Sequence, residues 1–146
     1  MRLFVATVES VLLYGSETWT ITRAMEKRID GCYTNMLRMC LGVRWDQKLT
    51  NKQLYQELPP VTNKVAERRL KLAGHCIRHP ELSASLLVLW QPDRGTASVG
   101  KPTYTYVDNL YRDLGVEEVS EIRTAMHNRT QWRGLSKEVR ARARIK

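Results

Sequence analysis

No stretch of this 146-residue chain is apolar for long enough to cross a bilayer. The best candidate, Leu3 to Tyr14, falls short of the roughly 20 residues a spanning helix needs, and Glu9 sits inside it. A secretory signal is also missing: the basic start is minimal and no small-residue cleavage site follows. Cysteine is scarce. Cys32, Cys40 and Cys76 are odd in number and lack close pairing, which excludes the disulfide framework of a small secreted domain. There is no low-complexity segment and no internal repeat. These absences predict an intracellular protein, nuclear or cytoplasmic, with no membrane partner.

The usual signatures of catalysis are missing too. No Ser-His-Asp or Cys-His pattern stands out, and no glycine-rich phosphate cradle is present. Gly15-Ser16-Glu17 lacks the flanking residues of a nucleophile elbow. His75, Cys76 and His79 resemble a metal cluster, but on a helix Cys76 points about 100° away from the two histidines, and the close cysteine pairs of a zinc site are absent. No metal ligand, cofactor, catalytic residue or small-molecule substrate is expected.

Positive charge is what the chain has in excess. It holds 24 Lys and Arg against 15 Asp and Glu, a formal charge of +9. Such a balance points to a polyanionic partner. The excess is uneven: Asn128 to Lys146 alone carries seven basic residues against one acidic.

The patterning is helical almost throughout, and the predicted fold class is all-α. Leu3 to Tyr14 is apolar on most sides, and Gly15 can end it. Thr22 to Leu41 is amphipathic, with Ile21, Met25, Ile29, Tyr33, Met36, Leu37 and Cys40 recurring at helical spacing and Gly42 as the stop. Gly31 inside that helix predicts a close helix contact. Thr50 has capping-box spacing with Gln53, and Pro59-Pro60 must end the short helix that follows. A longer helix then runs to His79-Pro80. Leu86 to Trp90 reads as a strand or a helical turn, and Gln91 to Thr103 as an exposed loop. Thr105 opens another capped helix that stops near Gly115. Val119, Ile122 and Met126 mark a short helix, and Trp132, Leu135 and Val139 one face of the last. Trp19, Trp45, Trp90 and Trp132 read as packing residues.

The helix before His79 carries the main functional candidates. At about 100° per residue, Lys64, Arg68, Lys71, His75 and Arg78 fall on one stripe, while Ala66, Leu70, Ala73 and Ile77 fall opposite. The stripe is roughly 21 Å long at about 1.5 Å per residue, enough for a phosphate backbone to follow. Arg69 lies beside it. Trp132-Arg133 and the tail cations Arg140, Arg142 and Arg144 add to the basic character.

Several blocks resemble a known family. Arg68-Arg69-Leu70, Ala73-Gly74-His75-Cys76 and Arg78-His79-Pro80 are similar to the segment after the polymerase core in non-LTR, LINE-type retrotransposon reverse transcriptases, the RTE-like group in particular. Leu12-Leu13-Tyr14-Gly15-Ser16-Glu17-Thr18-Trp19, Asp30-Gly31-Cys32-Tyr33, Leu49-Thr50-Asn51-Lys52-Gln53-Leu54-Tyr55, Leu89-Trp90-Gln91-Pro92, Gly100-Lys101-Pro102 and Asn128-Arg129-Thr130-Gln131-Trp132-Arg133 follow the same family order. Lys101 stands where the family usually has arginine, so the bidentate fork of that arginine is lost. Tyr106-Val107-Asp108-Asn109 imitates the polymerase metal-binding element, but Asn109 replaces its second carboxylate.

The resemblance implies a thumb-like helical segment over 1–58 and a post-thumb basic helical region over 61–146. It implies a parent RNA-directed DNA polymerase with an endonuclease domain, and a non-catalytic C-terminal fragment in this chain. The expected partner is RNA or DNA, as a template–primer-like duplex held by phosphate contacts. The nucleic-acid-binding candidates are Lys64, Arg68, Arg69, Lys71, His75, Arg78, Lys101 and Arg133. The alternative is a relic or protein-interaction module that self-associates through its exposed apolar first helix.

Overall fold

Start and stop signals in the sequence place the helices, and the packing then arranges them around one axis. The computed structural model describes residues 2–55, 58–91, 104–116 and 119–142. Among these, every regular element is helical, as the periodicities predict.

The chain begins with one continuous winding. Helix α1 (Arg2–Phe4) passes through a π-wound stretch, Val5–Glu9, into α2 (Ser10–Leu12). Gly15 then takes a left-handed conformation at φ 66°, which a side chain would resist, and a 3-10 turn follows at Ser16–Thr18. Helix α3 (Arg23–Cys40) starts where the Thr22 hydroxyl accepts from the Met25 amide at 3.4 Å. A 3-10 turn, Trp45–Gln47, leads to α4 (Asn51–Tyr55). The expected capping box forms there: the Gln53 side chain accepts from the Thr50 amide at 2.9 Å, and the Gln53 amide donates to the Thr50 hydroxyl at 3.3 Å.

Helix α5 (Val61–Arg78) follows Pro60 and ends at His79. The segment read as strand or helical turn contains α6 (Ala84–Leu87), a single turn whose neighbours Val88 and Leu89 are buried. Helix α7 (Tyr106–Leu114) is capped by Thr105 and closed by Gly115 at φ 74°. Helices α8 (Val119–His127) and α9 (Arg129–Ala141) complete the fold, with the Asn128 side chain capping α9. The predicted loop beyond Gln91, Lys101 within it, and the tail beyond Arg142 lie outside the described residues.

Helix α5 is the axis. The Ser16–Thr18 turn, α3, α6, α7, α8 and α9 all pack on it. Its first half faces a cluster of Phe4, Leu13, Ile21, Tyr33, Leu37, Leu54, Val61 and Val65. Its second half faces Leu110, Ile122, Met126, Trp132 and Val139, through Ala66, Leu70, Ala73 and Cys76. Burial on all these sides is why α5 departs from the expected two-faced helix.

Two sequence expectations change here. Gly31 is exposed, with nothing within 4 Å of where a Cβ would stand, so it serves no close helix contact. Trp45 and Trp90 do not pack: they are 89% and 61% exposed, whereas Trp132 is buried. No helix among the described residues is long and apolar enough to cross a membrane.

Candidate nucleic-acid interface

The basic stripe of α5 is largely turned inward. Lys64 is buried, and its ammonium donates to Glu9 Oε2 at 2.5 Å; the Tyr33 hydroxyl donates to the same oxygen at 2.8 Å. Burial and the bond to Glu9 push the Tyr33 phenol well above its ordinary range. Arg69 is buried more completely. It pairs with Asp113 and donates to the Trp19 carbonyl at 3.1 Å. Burial pushes the Asp113 carboxyl upward, against the pull of Arg69 and Arg112. Lys64 and Arg69 therefore drop out as phosphate ligands: each neutralises a buried carboxylate from another part of the chain.

Arg68 and Arg78 hold intermediate positions. Arg68 donates to the Leu13 carbonyl at 2.7 Å, just past α2. Arg78 donates to the Met126 carbonyl at 2.7 Å, in the last turn of α8. Both guanidinium groups bond carbonyls at helix ends; the Leu13 carbonyl also accepts from the Ser16 amide at 3.1 Å. Of the α5 candidates, Lys71 and His75 remain exposed. Lys71 meets Glu67 at 2.6 Å, and the His75 ring lies against His79 with centroids 4.4 Å apart.

The exposed cations are concentrated instead on α9. At about 100° per residue, Arg129, Arg133, Lys137 and Arg140 fall within an arc of about 80°, over roughly 16 Å of helix. All four are exposed, while Trp132, Ser136 and Val139 on the adjoining side are buried. Among the described residues, no ion pair or hydrogen bond occupies the side-chain charges of Arg129, Arg133 or Lys137.

Helix α9 lies antiparallel to α5. Early in α9, the Trp132 indole donates to the Leu70 carbonyl at 2.7 Å, and late in it the Arg140 and Arg142 carbonyls accept from the Asn63 side chain. Glu67 joins the two helices, at 2.6 Å from Lys71 and 3.2 Å from Arg140. The α9 row thus flanks the same side of α5 as Lys71, and His75 is one turn further along. One acid, Glu67, stands among these five cations and a histidine. Of the sequence candidates Arg133 lies in this row, and a step of four residues links it to Arg129 and Lys137.

The polymerase-like element is structural. Asp108 Oδ2 accepts from the Thr105 amide at 2.7 Å and the Thr105 hydroxyl at 2.8 Å, closing the cap of α7. Asn109 is buried and donates to the Thr105 carbonyl. Among the described residues, no group of three His, Cys, Asp or Glu side chains is placed to hold a metal ion. Cys76 is buried, which raises its thiol pKa.

Comparison with known proteins gives one informative likeness. The chain is similar to an uncharacterised transposon-derived protein of Caenorhabditis elegans, at 26% identity over 145 aligned residues that take in 90% of this chain and 52% of the relative. The chain spans about half the length of that relative. No family model matches, and no solved structure matches. The likeness supports a transposon origin.

Proposed function

We propose that the chain is a non-catalytic helical part of a LINE-type retrotransposon reverse transcriptase and that it grips a template–primer-like duplex through phosphate contacts. The sequence blocks from Leu12 to Arg133 support the family, and the likeness to a transposon-derived protein is consistent with it. The observation that carries the binding role is the row of exposed cations Arg129, Arg133 and Lys137, unpaired among the described residues and flanked by Lys71 and His75. Phosphate contacts of this kind give affinity without base readout.

The test is duplex binding at a series of salt concentrations. If three cations each neutralise one phosphate, log K falls against log salt with a slope of roughly −3, at about −0.9 per contact. Replacing Arg129, Arg133 and Lys137 together by alanine should weaken binding on every sequence and bring the slope close to zero. An unchanged affinity and slope would remove the role of α9.

A second reading rests on the first helix. Leu3, Val11 and Tyr14 are 76%, 77% and 86% exposed, an apolar surface suited to a protein contact in a relic or interaction module.

A further inference from the structure

The turn between α3 and α4 holds an indole with no place in the core. Trp45 is 89% exposed, more than any other large apolar side chain of the described residues. A tryptophan left in water gives up the largest hydrophobic contribution any side chain can make, so its display calls for a physical reason.

The turn that carries it is braced. The Val43 amide donates to the Arg38 carbonyl at 3.0 Å, and the Arg38 guanidinium donates to the Leu49 carbonyl at 2.7 Å and to Asn51 at 3.1 Å. Arg38 thereby ties both ends of the turn to α3. Within it, the Gln47 side chain accepts from the Arg44 amide at 3.2 Å, and the Gln47 amide donates to the Arg44 carbonyl at 3.3 Å. Lys48 is held at φ 47°, a left-handed conformation uncommon for a side-chain-bearing residue. The indole is therefore presented from a fixed frame.

The segment that carries it is cationic. Arg44 and Lys48 in the turn and Lys52 at the start of α4 are exposed, and Asp46, the one acid of the turn, pairs with Arg44 at 3.3 Å. An exposed π-face on a segment with exposed cations suits an unpaired base and its flanking phosphates.

We propose that Trp45 is a stacking contact for unpaired bases of a single-stranded nucleic acid, with Lys48 and Lys52 as phosphate partners. The ligand class rests on the function proposed above; the surface is separate from the α9 row and uses aromatic stacking rather than charge alone. Because Trp45 lies outside both core clusters, its removal leaves the fold intact.

The experiment compares a labelled oligothymidylate with a blunt duplex on the full chain, the Trp45→Ala and Trp45→Phe variants, and the α9 triple-alanine variant. Trp45→Ala should lower affinity for the single strand by about tenfold or more, the effect of one lost stacked base. Its salt slope should stay the same, since no charge is removed, and duplex affinity should change less than about twofold. Trp45→Phe should recover most of the loss by restoring a ring. Thermal unfolding of Trp45→Ala should match the parent. Single-strand affinity unchanged in Trp45→Ala would overturn the stacking role, while a duplex defect of the α9 variant would still uphold the function proposed above. If Trp45→Ala abolishes self-association and leaves oligonucleotide affinity alone, the indole is a protein contact and the proposal fails. A parent that binds neither nucleic acid overturns both.

Discussion

Charge alone does not tell a ligand-binding cation from a structural one; the partner does. Lys64 and Glu9 are both nearly buried, at 8% and 10% side-chain exposure, so either one alone would be an uncompensated charge. Lys64→Ala should therefore destabilise the protein by about 3–5 kcal/mol in denaturant unfolding, whereas Lys137→Ala on the exposed row should change it by less than about 0.5 kcal/mol. Equal small effects would mean that the Lys64 pair is not buried in solution. Buried tyrosines set an alkaline limit. Tyr33 and Tyr106 are both held protonated by burial, with pKa raised above the ordinary 10.0. A raised folded pKa means that the native state keeps a proton the unfolded chain releases. The stability from each tyrosine is thus fully present below about pH 10 and declines as pH rises above it. Unfolding free energy measured from pH 9 upward should fall, and Tyr33→Phe should make the fall shallower.

At the scale of elements, α5 acts as a central post whose polar side chains close the ends of its neighbours. Arg68 reaches the carbonyl beyond α2, Arg69 the carbonyl beyond the Ser16–Thr18 turn, Asn63 the end of α9 and Arg78 the last turn of α8. The bounds of this helix were legible because Pro60 and His79-Pro80 punctuate it. Its surroundings were not. A helical wheel knows only its own residues, while the partners of Lys64 and Arg69 lie 55 and 44 positions away. The same blindness hid Trp45, whose exposure depends on a turn braced by Arg38. The outward position of Arg133 follows from its place next to core Trp132 on a helix buried along one face only. Close packing of α5 on α9 gives a test at this scale. A Cβ added at Gly74 would stand 2.3 Å from the Trp132 indole nitrogen, an impossible contact, and Trp132 is pinned by its bond to Leu70. Gly74→Ala should destabilise by about 1–3 kcal/mol, the usual range for overpacking, and shift the emission of the buried indole. A parent-like stability and spectrum would mean that α9 sits further from α5.

For the molecule as a whole, apolar surface is shared unevenly between inside and outside. The first helix contributes Phe4 and Leu13 to the core and buries Glu9 against Lys64, so it belongs to the fold. Val8 and Leu12 pack partly against the same cluster. What remains outward is Leu3, Val11 and Tyr14, and Val5 is 38% exposed. Exposed apolar surface of this kind favours association in water, because each buried Å² contributes roughly 25 cal/mol. Sedimentation of the parent should therefore show mass rising with protein concentration. Replacing Leu3 and Val11 by lysine should return it to monomer with little loss of stability, since neither side chain fills the core. Replacing Val8 and Leu12 instead should lower stability, because those two help to seat the helix. The contrast between the two pairs separates a sticky surface from a weakened fold: a parent that stays monomeric at every concentration, or a Leu3 and Val11 variant that unfolds, would show that this face is already satisfied within the chain.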